Sequence, residues 1–189
     1  MKTELEKFLQ IVDSIYGLYL DAVAAFIDWS KALENGQKQI MSKEGKTIEQ
    51  LDNLPFAYTD QDFPNAHIKH SRSIGDVKNR NKKGGGNHVI MANLCLVLIY
   101  QYWEIYRTKL ETILSFPKNH IKSNLMADVK YLRNSILKHD GIGNHEMKKC
   151  KIILWFKEGQ LILLNQQRFE IIIQLINDEI LSINKKYGV

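Results

Sequence analysis

One segment of the chain combines the residue types that can cleave RNA without a metal ion. It runs from Tyr131 to Gly141 and contains Arg133, Asn134 and His139. Histidine titrates near neutrality, so its imidazole can move a proton from a 2′-hydroxyl or towards a 5′-oxygen leaving group. Arginine stays charged and stabilises the negative charge that builds on phosphate oxygens, and an asparagine amide can orient either group. We therefore interpret these three residues as a candidate catalytic set.

The spacing of the arginine and the histidine sets a geometric condition on this chemistry. Six positions along a regular helix are about 600°, which leaves the two side chains about 120° apart. They converge on one ligand only if the helix ends near His139 or if two copies of the segment face each other. Gly141 and Gly143 favour a helix end at this point. A two-fold homodimer would bring two copies of Arg133 and of His139 into one cleft.

The segment resembles the signature of the HEPN superfamily, in which an arginine, a polar residue that is often asparagine, and a histidine end an amphipathic helix. The matching residues are Arg133, Asn134 and His139, and a long preceding helix bears Glu104 and Arg107. The resemblance implies a metal-independent endoribonuclease of toxin–antitoxin, phage-defence or RNA-processing systems. It also implies a homodimer with the motifs at the interface, a 2′,3′-cyclic phosphate product and a possible antitoxin protein as partner.

Two acidic residues are candidates for supporting roles. Asp140 follows His139 directly and could orient its ring, although an aspartate before a glycine is more often a turn residue. Glu104 could support Arg133, but it also precedes Arg107 by three positions, which predicts an ordinary ion pair on one helix. Some family members carry a tyrosine shortly after the histidine as a modification site. Because Asp140, Gly141 and Ile142 follow here, we do not expect that mode of regulation.

Two other interpretations of the motif remain open. The chain could be a HEPN-like module without catalysis that binds a nucleotide, RNA or a protein through the same cleft. It could also be a helical interaction protein in which the motif is accidental. In that case Arg133 forms an ordinary salt bridge, and His139 lies at a helix C-terminus because a cation is favoured there.

The net charge of the chain is concentrated in one segment. The chain has 189 residues, enough for one domain with a real core, and a net charge of +5. With 44% hydrophobic and 25% charged residues it is not globally disordered. Residues 66–88 hold six Lys and Arg against one Asp, a net charge of +5 that equals the net charge of the whole chain. We expect basic side chains here and beside the motif to bind the RNA backbone, namely Lys78, Arg80, Lys82, Lys83 and Lys138.

No cofactor, metal or membrane is expected. The spacing of His67, His70 and His88 matches no standard metal site, and two cysteines cannot build a zinc cage or a disulfide framework. The apolar stretch over residues 89–103 is interrupted by polar side chains and is short for a bilayer, so it predicts a buried central helix. The polar N-terminus lacks the features of a signal peptide, which favours the cytoplasm.

Hydrophobic periodicity predicts an all-α fold, a HEPN-like helical bundle with long antiparallel helices and one small β-hairpin before the last helix. We expect a single domain over residues 1–189. The predicted long helices cover residues 3–34, 88–114, 119–139 and 166–186, and a short helix starts at Thr47. Thr3 with Glu6 predicts a capping box, and Asn165 predicts a cap for the last helix.

Two predicted regions are not helical. Residues 53–87 are expected to form a basic loop insertion, because Pro55, Pro64 and a run of charged residues and glycines break the apolar period. Residues 150–164 are expected to form the β-hairpin, since two apolar runs flank the turn sequence Lys157-Glu-Gly159.

Overall fold

The computed structural model describes residues 3–60 and 67–188. It is all-α in class, with 69% helix and 7% strand, and contains a two-stranded antiparallel sheet. A 3₁₀ helix covers His145–Lys149. In chain order, the other elements are α1 (Glu4–Glu44), α2 (Ile48–Asp52), β1 (Pro55–Thr59), β2 (Ile68–Ser73), α3 (Ile74–Asn81), α4 (Gly86–Ile113), α5 (Asn124–Lys138) and α6 (Gln166–Tyr187).

The chain divides into two compact units. We call Met1–Leu20 together with Val89–Val189 the motif unit, and Asp21–His88 the hairpin unit. The core of the motif unit is built from helical stripes at three- and four-residue steps. The last helix, predicted over residues 166–186, is confirmed, and all six apolar residues of its core-facing stripe are buried: Phe169, Ile172, Ile173, Ile176, Ile180 and Ile183. The predicted cap is also confirmed, because the Asn165 side chain accepts a hydrogen bond from the Arg168 amide.

The first helix ends ten residues later than its sequence predicts. The capping box at Thr3 and Glu6 forms, but the helix continues through Gly36 to Glu44. A glycine inside a helix costs about 1 kcal/mol relative to alanine. That cost is offset by tertiary contacts, because Gln37 is buried and donates a hydrogen bond to Asp52 at 2.8 Å. The helix stops at Gly45, whose positive φ of 66° suits a left-handed cap.

The region predicted as a basic loop, residues 53–87, is folded over most of its described residues. β1 and β2 pair antiparallel, with Phe56 opposite Arg72 and Tyr58 opposite His70. α3 follows directly, capped by Ser73, whose hydroxyl accepts from the Asp76 amide. The loop prediction was wrong here because these elements are short, and short elements carry little periodic signal. Pro64, the second proline of the predicted loop, lies outside the described residues.

The β-hairpin predicted over residues 150–164 does not form. The N–H groups that its first strand would use for pairing are taken by Asp128, a buried carboxylate that accepts from Lys151, Ile152 and Ile153. The second run pairs with a different partner, because the Ile162 amide donates to the Gly141 carbonyl at 2.7 Å. A tertiary anchor therefore overrides the strand preference of these apolar runs.

The third long helix begins at Asn124 rather than near residue 119. The Ser123 hydroxyl caps it by accepting from the Met126 amide at 3.0 Å. The preceding residues are held in a non-helical turn by the buried Glu111 carboxylate, which accepts from the amides of Asn119 and Ile121. Asn119 itself has a φ of 63°, which is incompatible with a right-handed helix.

Two helices, α1 and α4, are long and apolar enough to cross a bilayer by length and composition. This is weak evidence, because the core helix of a soluble protein meets the same criterion. In the apolar window of α1, 22% of the residues are buried, and in that of α4, 33%. The α4 helix is therefore less enclosed than the buried central helix that the sequence predicts.

Candidate active site

Arg133 and Asn134 lie on the last two turns of α5, beside the face that packs into the core. Val129 and Leu132 are buried and fix this face of the helix, while Arg133 and Asn134 are half-buried at its flank. The Arg133 guanidinium donates a hydrogen bond from Nη1 to Asn134 Oδ1 at 3.2 Å. The Asn134 amide in turn donates from Nδ2 to Glu146 Oε2 at 3.2 Å. A carboxylate therefore orients the amide that contacts the arginine.

Glu146 is the site residue that the sequence did not reveal. It lies on the 3₁₀ helix, which Asn144 caps by accepting from the Glu146 amide at 2.8 Å. The hydrogen bond from Asn134 lowers the pKa of the Glu146 carboxyl, and the nearby charge of Lys149 adds to this effect. An Asn-x-Glu sequence is a cap signal, and it was the only indication in the sequence that Glu146 is held in place.

The Arg133 guanidinium also lies over an aromatic ring of α4. Its central carbon is 5.8 Å from the centre of the Tyr100 ring, within the range of a cation–π contact. The Tyr100 hydroxyl donates to Glu104 Oε1 at 3.2 Å, and burial, followed by the charge of Glu104, raises the pKa of Tyr100 to about 12. The Tyr100 side chain therefore contacts both Glu104 and Arg133. Among the described residues, Arg133 Nε is buried without a hydrogen-bond partner.

The alternative pairing of Glu104 with Arg107 is not among the ion pairs of the described residues. Arg107 instead lies 4.0 Å from Glu111, measured from Nε to Oε1. Arg107 therefore pairs with the buried Glu111, four positions later, and not with Glu104, three positions earlier.

His139 occupies the end of α5, as the glycines downstream predict. It is the C-cap residue, and its backbone N–H donates to the Ser135 carbonyl at 3.2 Å. The side chain is exposed, and over residues 3–60 and 67–188 no hydrogen bond joins its imidazole to Arg133 or Asn134. The helix therefore ends at His139, which meets one of the two conditions under which the Arg133 and His139 side chains could converge on one ligand. The other condition is a second copy of the segment that faces the first.

Asp140 serves the turn after α5. Its φ is 51° and that of Gly141 is 77°, both left-handed. The Gly141 amide donates back to the Ser135 carbonyl at 3.1 Å, closing the helix end. In the part of the chain that the structure describes, Asp140 makes no hydrogen bond to His139. The turn interpretation accounts for this residue, and the orienting role has no contact that supports it.

The basic residues chosen as RNA contacts fall into two groups. Lys78 and Arg80 are engaged within the hairpin unit. Lys78 Nζ lies 2.6 Å from Asp52 Oδ1 and 2.6 Å from Gln37 Oε1, and Arg80 Nη1 donates to His70 Nε2 at 3.3 Å. The hydrogen bond from Lys78, followed by that from Gln37, lowers the pKa of Asp52. The second group, Lys82, Lys83 and Lys138, is exposed.

The other histidines of the basic segment have local structural roles. His88 is buried, with its Nε2 3.3 Å from the Asn81 carbonyl oxygen and its ring against Phe26. His70 binds Arg80 as described above. Among the described residues no group of three or more His, Cys, Asp or Glu side chains is arranged to hold a metal ion. Both cysteines are free.

Comparison of the chain with protein-family models, with curated proteins and with solved structures gave no match.

Proposed function

We propose that this chain is a metal-independent endoribonuclease of the HEPN type, acting in the cytoplasm in toxin–antitoxin, phage-defence or RNA-processing chemistry. The observation that supports it best is the set of contacts at the end of α5. The Nε of Arg133 has no hydrogen-bond partner among the described residues. One of its terminal nitrogens donates to Asn134, whose own side-chain amide donates to Glu146. A guanidinium fixed in this way, with donors to spare, suits the extra charge of a pentacoordinate phosphate.

His139 is the proton-transfer group in this proposal. At the exposed end of the helix its ring is accessible to a 2′-hydroxyl or to the leaving 5′-oxygen. Attack of the 2′-oxygen on phosphorus breaks the bond to the 5′-oxygen, which takes up a proton. The products are a 2′,3′-cyclic phosphate and a 5′-hydroxyl end.

Exposed apolar side chains next to this helix end favour a homodimer. Ile142 and Leu161 form an isolated β-bridge beside α5, and the Asn93 side chain of α4 donates to the Ile162 carbonyl at 3.2 Å. Exposed apolar residues continue along α4 at four-residue steps. Contiguous exposed apolar surface marks an interaction site. A second copy is the occupant that would also bring two motifs together. The set comprises Ile90, Leu94, Leu98, Ile142 and Leu161.

The exposed lysines Lys82, Lys83 and Lys138 would contact the RNA backbone. Lys82 donates to the neutral Asn79 amide oxygen at 3.0 Å, and none of the three lysines is in an ion pair among the described residues, whereas Lys78 pairs with Asp52. An antitoxin protein remains a possible partner and would have to cover the same cleft.

The test is cleavage of single-stranded RNA by the purified chain in the presence of EDTA. We expect fragments with cyclic phosphate ends, and loss of cleavage in Arg133→Ala and His139→Ala with the dimer retained in light scattering. His67→Ala is the matched control, since His67 is an exposed histidine of the hairpin unit. Full cleavage by His139→Ala would contradict the proposal.

The alternative is a HEPN-like module that binds nucleotide, RNA or protein without catalysis. The absence of a hydrogen bond between the His139 ring and Arg133 or Asn134 among the described residues favours it if no dimer forms. RNA binding without fragments, at concentrations where light scattering reports the dimer, would support the module instead of the enzyme.

A further inference from the structure

The motif unit contains a groove next to Arg133 that the proposed catalysis does not use. Its volume is about 360 Å³, and it lies between α4 and the start of α5. The floor is apolar, from Trp103, Ile121 and Met126. The charged lining is mostly cationic, with Arg107, Lys122 and Lys130 beside Glu104. The neutral polar residues of the lining are Tyr100, Asn119, Ser123 and Asn124.

The cations of this groove are poorly neutralised by the protein. Arg107 has a side chain only 16% exposed, and its Nε has no hydrogen-bond partner among the described residues. Its nearest acid is Glu111 at 4.0 Å, but the Glu111 oxygens already accept from two backbone amides. A buried guanidinium with unsatisfied donors is costly without a ligand or water.

The two lysines of the groove are exposed. Neither Lys122 nor Lys130 belongs to an ion pair within residues 3–60 and 67–188. Glu104, the acid that lines the groove, accepts a hydrogen bond from the Tyr100 hydroxyl. The balance at the groove is therefore three cations against one carboxylate.

The groove leads to the proposed catalytic set. Tyr100 lines it and also lies under the Arg133 guanidinium. Lys130 precedes Arg133 by three positions and Asn134 by four, and residues with these spacings are neighbours on a helix surface. The positive charges thus continue along α5 from the groove to the candidate active site.

We infer that this groove binds the backbone of single-stranded nucleic acid on one side of the cleaved phosphate, with Lys122 and Lys130 on the phosphates and Arg107 below them. The inference rests on the proposed function for the position of the cleaved bond. Binding itself needs only the groove. Phosphodiesters fit because they offer several anionic oxygens at regular spacing to a row of cations.

The test uses a single-stranded RNA oligonucleotide with 2′-O-methyl groups, which removes the attacking hydroxyl. Its dissociation constant is measured by fluorescence anisotropy over a range of salt concentrations. The variant is Lys122→Gln/Lys130→Gln, and the control is Lys157→Gln/Lys185→Gln, which removes the same charge from exposed positions outside the groove. Far-ultraviolet circular dichroism checks the fold of both.

We expect the groove variant to bind more weakly and the slope of log affinity against log salt to fall by about 1.4, since each single-strand phosphate contact contributes about 0.7. The control should match the wild type. A groove variant that binds like the control would overturn the inference, even if the wild type cleaves RNA. Wild type that binds the oligonucleotide through the groove but does not cleave unmodified RNA would overturn the proposed endoribonuclease and leave the groove supported. Wild type that binds no oligonucleotide would overturn both.

Discussion

Two basic stretches of the chain differ in how the protein uses their charges. Residues 66–88 carry six Lys and Arg against one Asp, a net +5, but residues 118–157 carry nine against three, a net +6, so the net charge is not concentrated in the first stretch alone. In the first stretch, Lys78 and Arg80 are bound by side chains of the same unit. In the second stretch all eight lysines are exposed. A similar excess of charge is partly structural in one region and almost entirely open to solvent in the other.

The acids explain the difference. Asp128 is buried and its oxygens accept from three successive backbone amides, so it neutralises no lysine side chain. Glu146 is shared between Asn134 and Lys149. Asp140 belongs to the turn after α5. Among the described residues, only Lys149 of these eight lysines forms an ion pair with an acid.

The largest expected contrast is in catalysis. Arg133→Ala should reduce RNA cleavage by a factor of about 100 or more, because it removes the guanidinium from the transition state. Arg80→Ala, the same substitution in the hairpin unit, should leave the rate of the chemical step unchanged. Single-turnover cleavage at saturating protein measures both. Equal losses in the two variants would break the contrast between the two stretches.

Asp128→Asn should lower the free energy of unfolding by about 2 kcal/mol, because it weakens several hydrogen bonds from buried amides to a charged acceptor. Asp140→Asn, at an exposed position, should change it by less than about 0.5 kcal/mol. Urea unfolding followed by circular dichroism gives both values. Similar stability of the two variants would contradict the anchoring role of Asp128.

Lys82→Gln/Lys83→Gln should weaken RNA binding and lower the salt slope while sparing the chemical step. The effect is expected to be smaller than that of Lys122→Gln/Lys130→Gln, because Lys82 and Lys83 do not line the groove between α4 and α5. The two double variants are compared by anisotropy with the same oligonucleotide. A larger effect at Lys82 and Lys83 would reverse the assignment of the two stretches.

The smallest effect is expected at Lys78. The pKa of Asp52 is lowered by its hydrogen bond from Lys78, so the pair stabilises the fold at neutral pH, and this contribution is lost as the pH falls through the lowered pKa. Lys78→Met should cost less than about 1 kcal/mol at pH 7 and less than that in acid, where only the hydrogen bond to Gln37 remains. Lys31→Met, which removes an exposed partner of Asp28, is the control. A loss that is equal at both pH values would contradict this linkage.

The sequence predicted those parts of the fold that have long apolar periods and clear caps. The Asn165 cap of α6 and the start of α2 after Thr47 are examples, as is the helix end at His139. It failed where a buried polar side chain decides the local structure. Gln37 carries α1 past Gly36, Glu111 delays the start of α5, and Asp128 prevents a hairpin. Such residues act through contacts with distant parts of the chain, which no local pattern records.

The candidate site divides in the same way. Arg133 and Asn134 were found because their types and spacing match a known signature. Glu146 is twelve positions from Asn134 in a 3₁₀ helix, where no period links the two. The contact of Tyr100 with Arg133 joins residues of two helices, α4 and α5. A sequence motif therefore pointed to the candidate residues, and the contacts that orient them required the fold.

The Asp128 anchor has a consequence for motion in the motif unit. The amides of residues 151–153 belong to an irregular segment, and such segments usually exchange their protons with solvent rapidly. Here they should exchange as slowly as amides inside α5, since releasing them means uncovering a buried carboxylate. The backbone after the 3₁₀ helix is then tethered to α5, and Glu146 keeps its distance from Asn134 during thermal fluctuations of the surrounding loops.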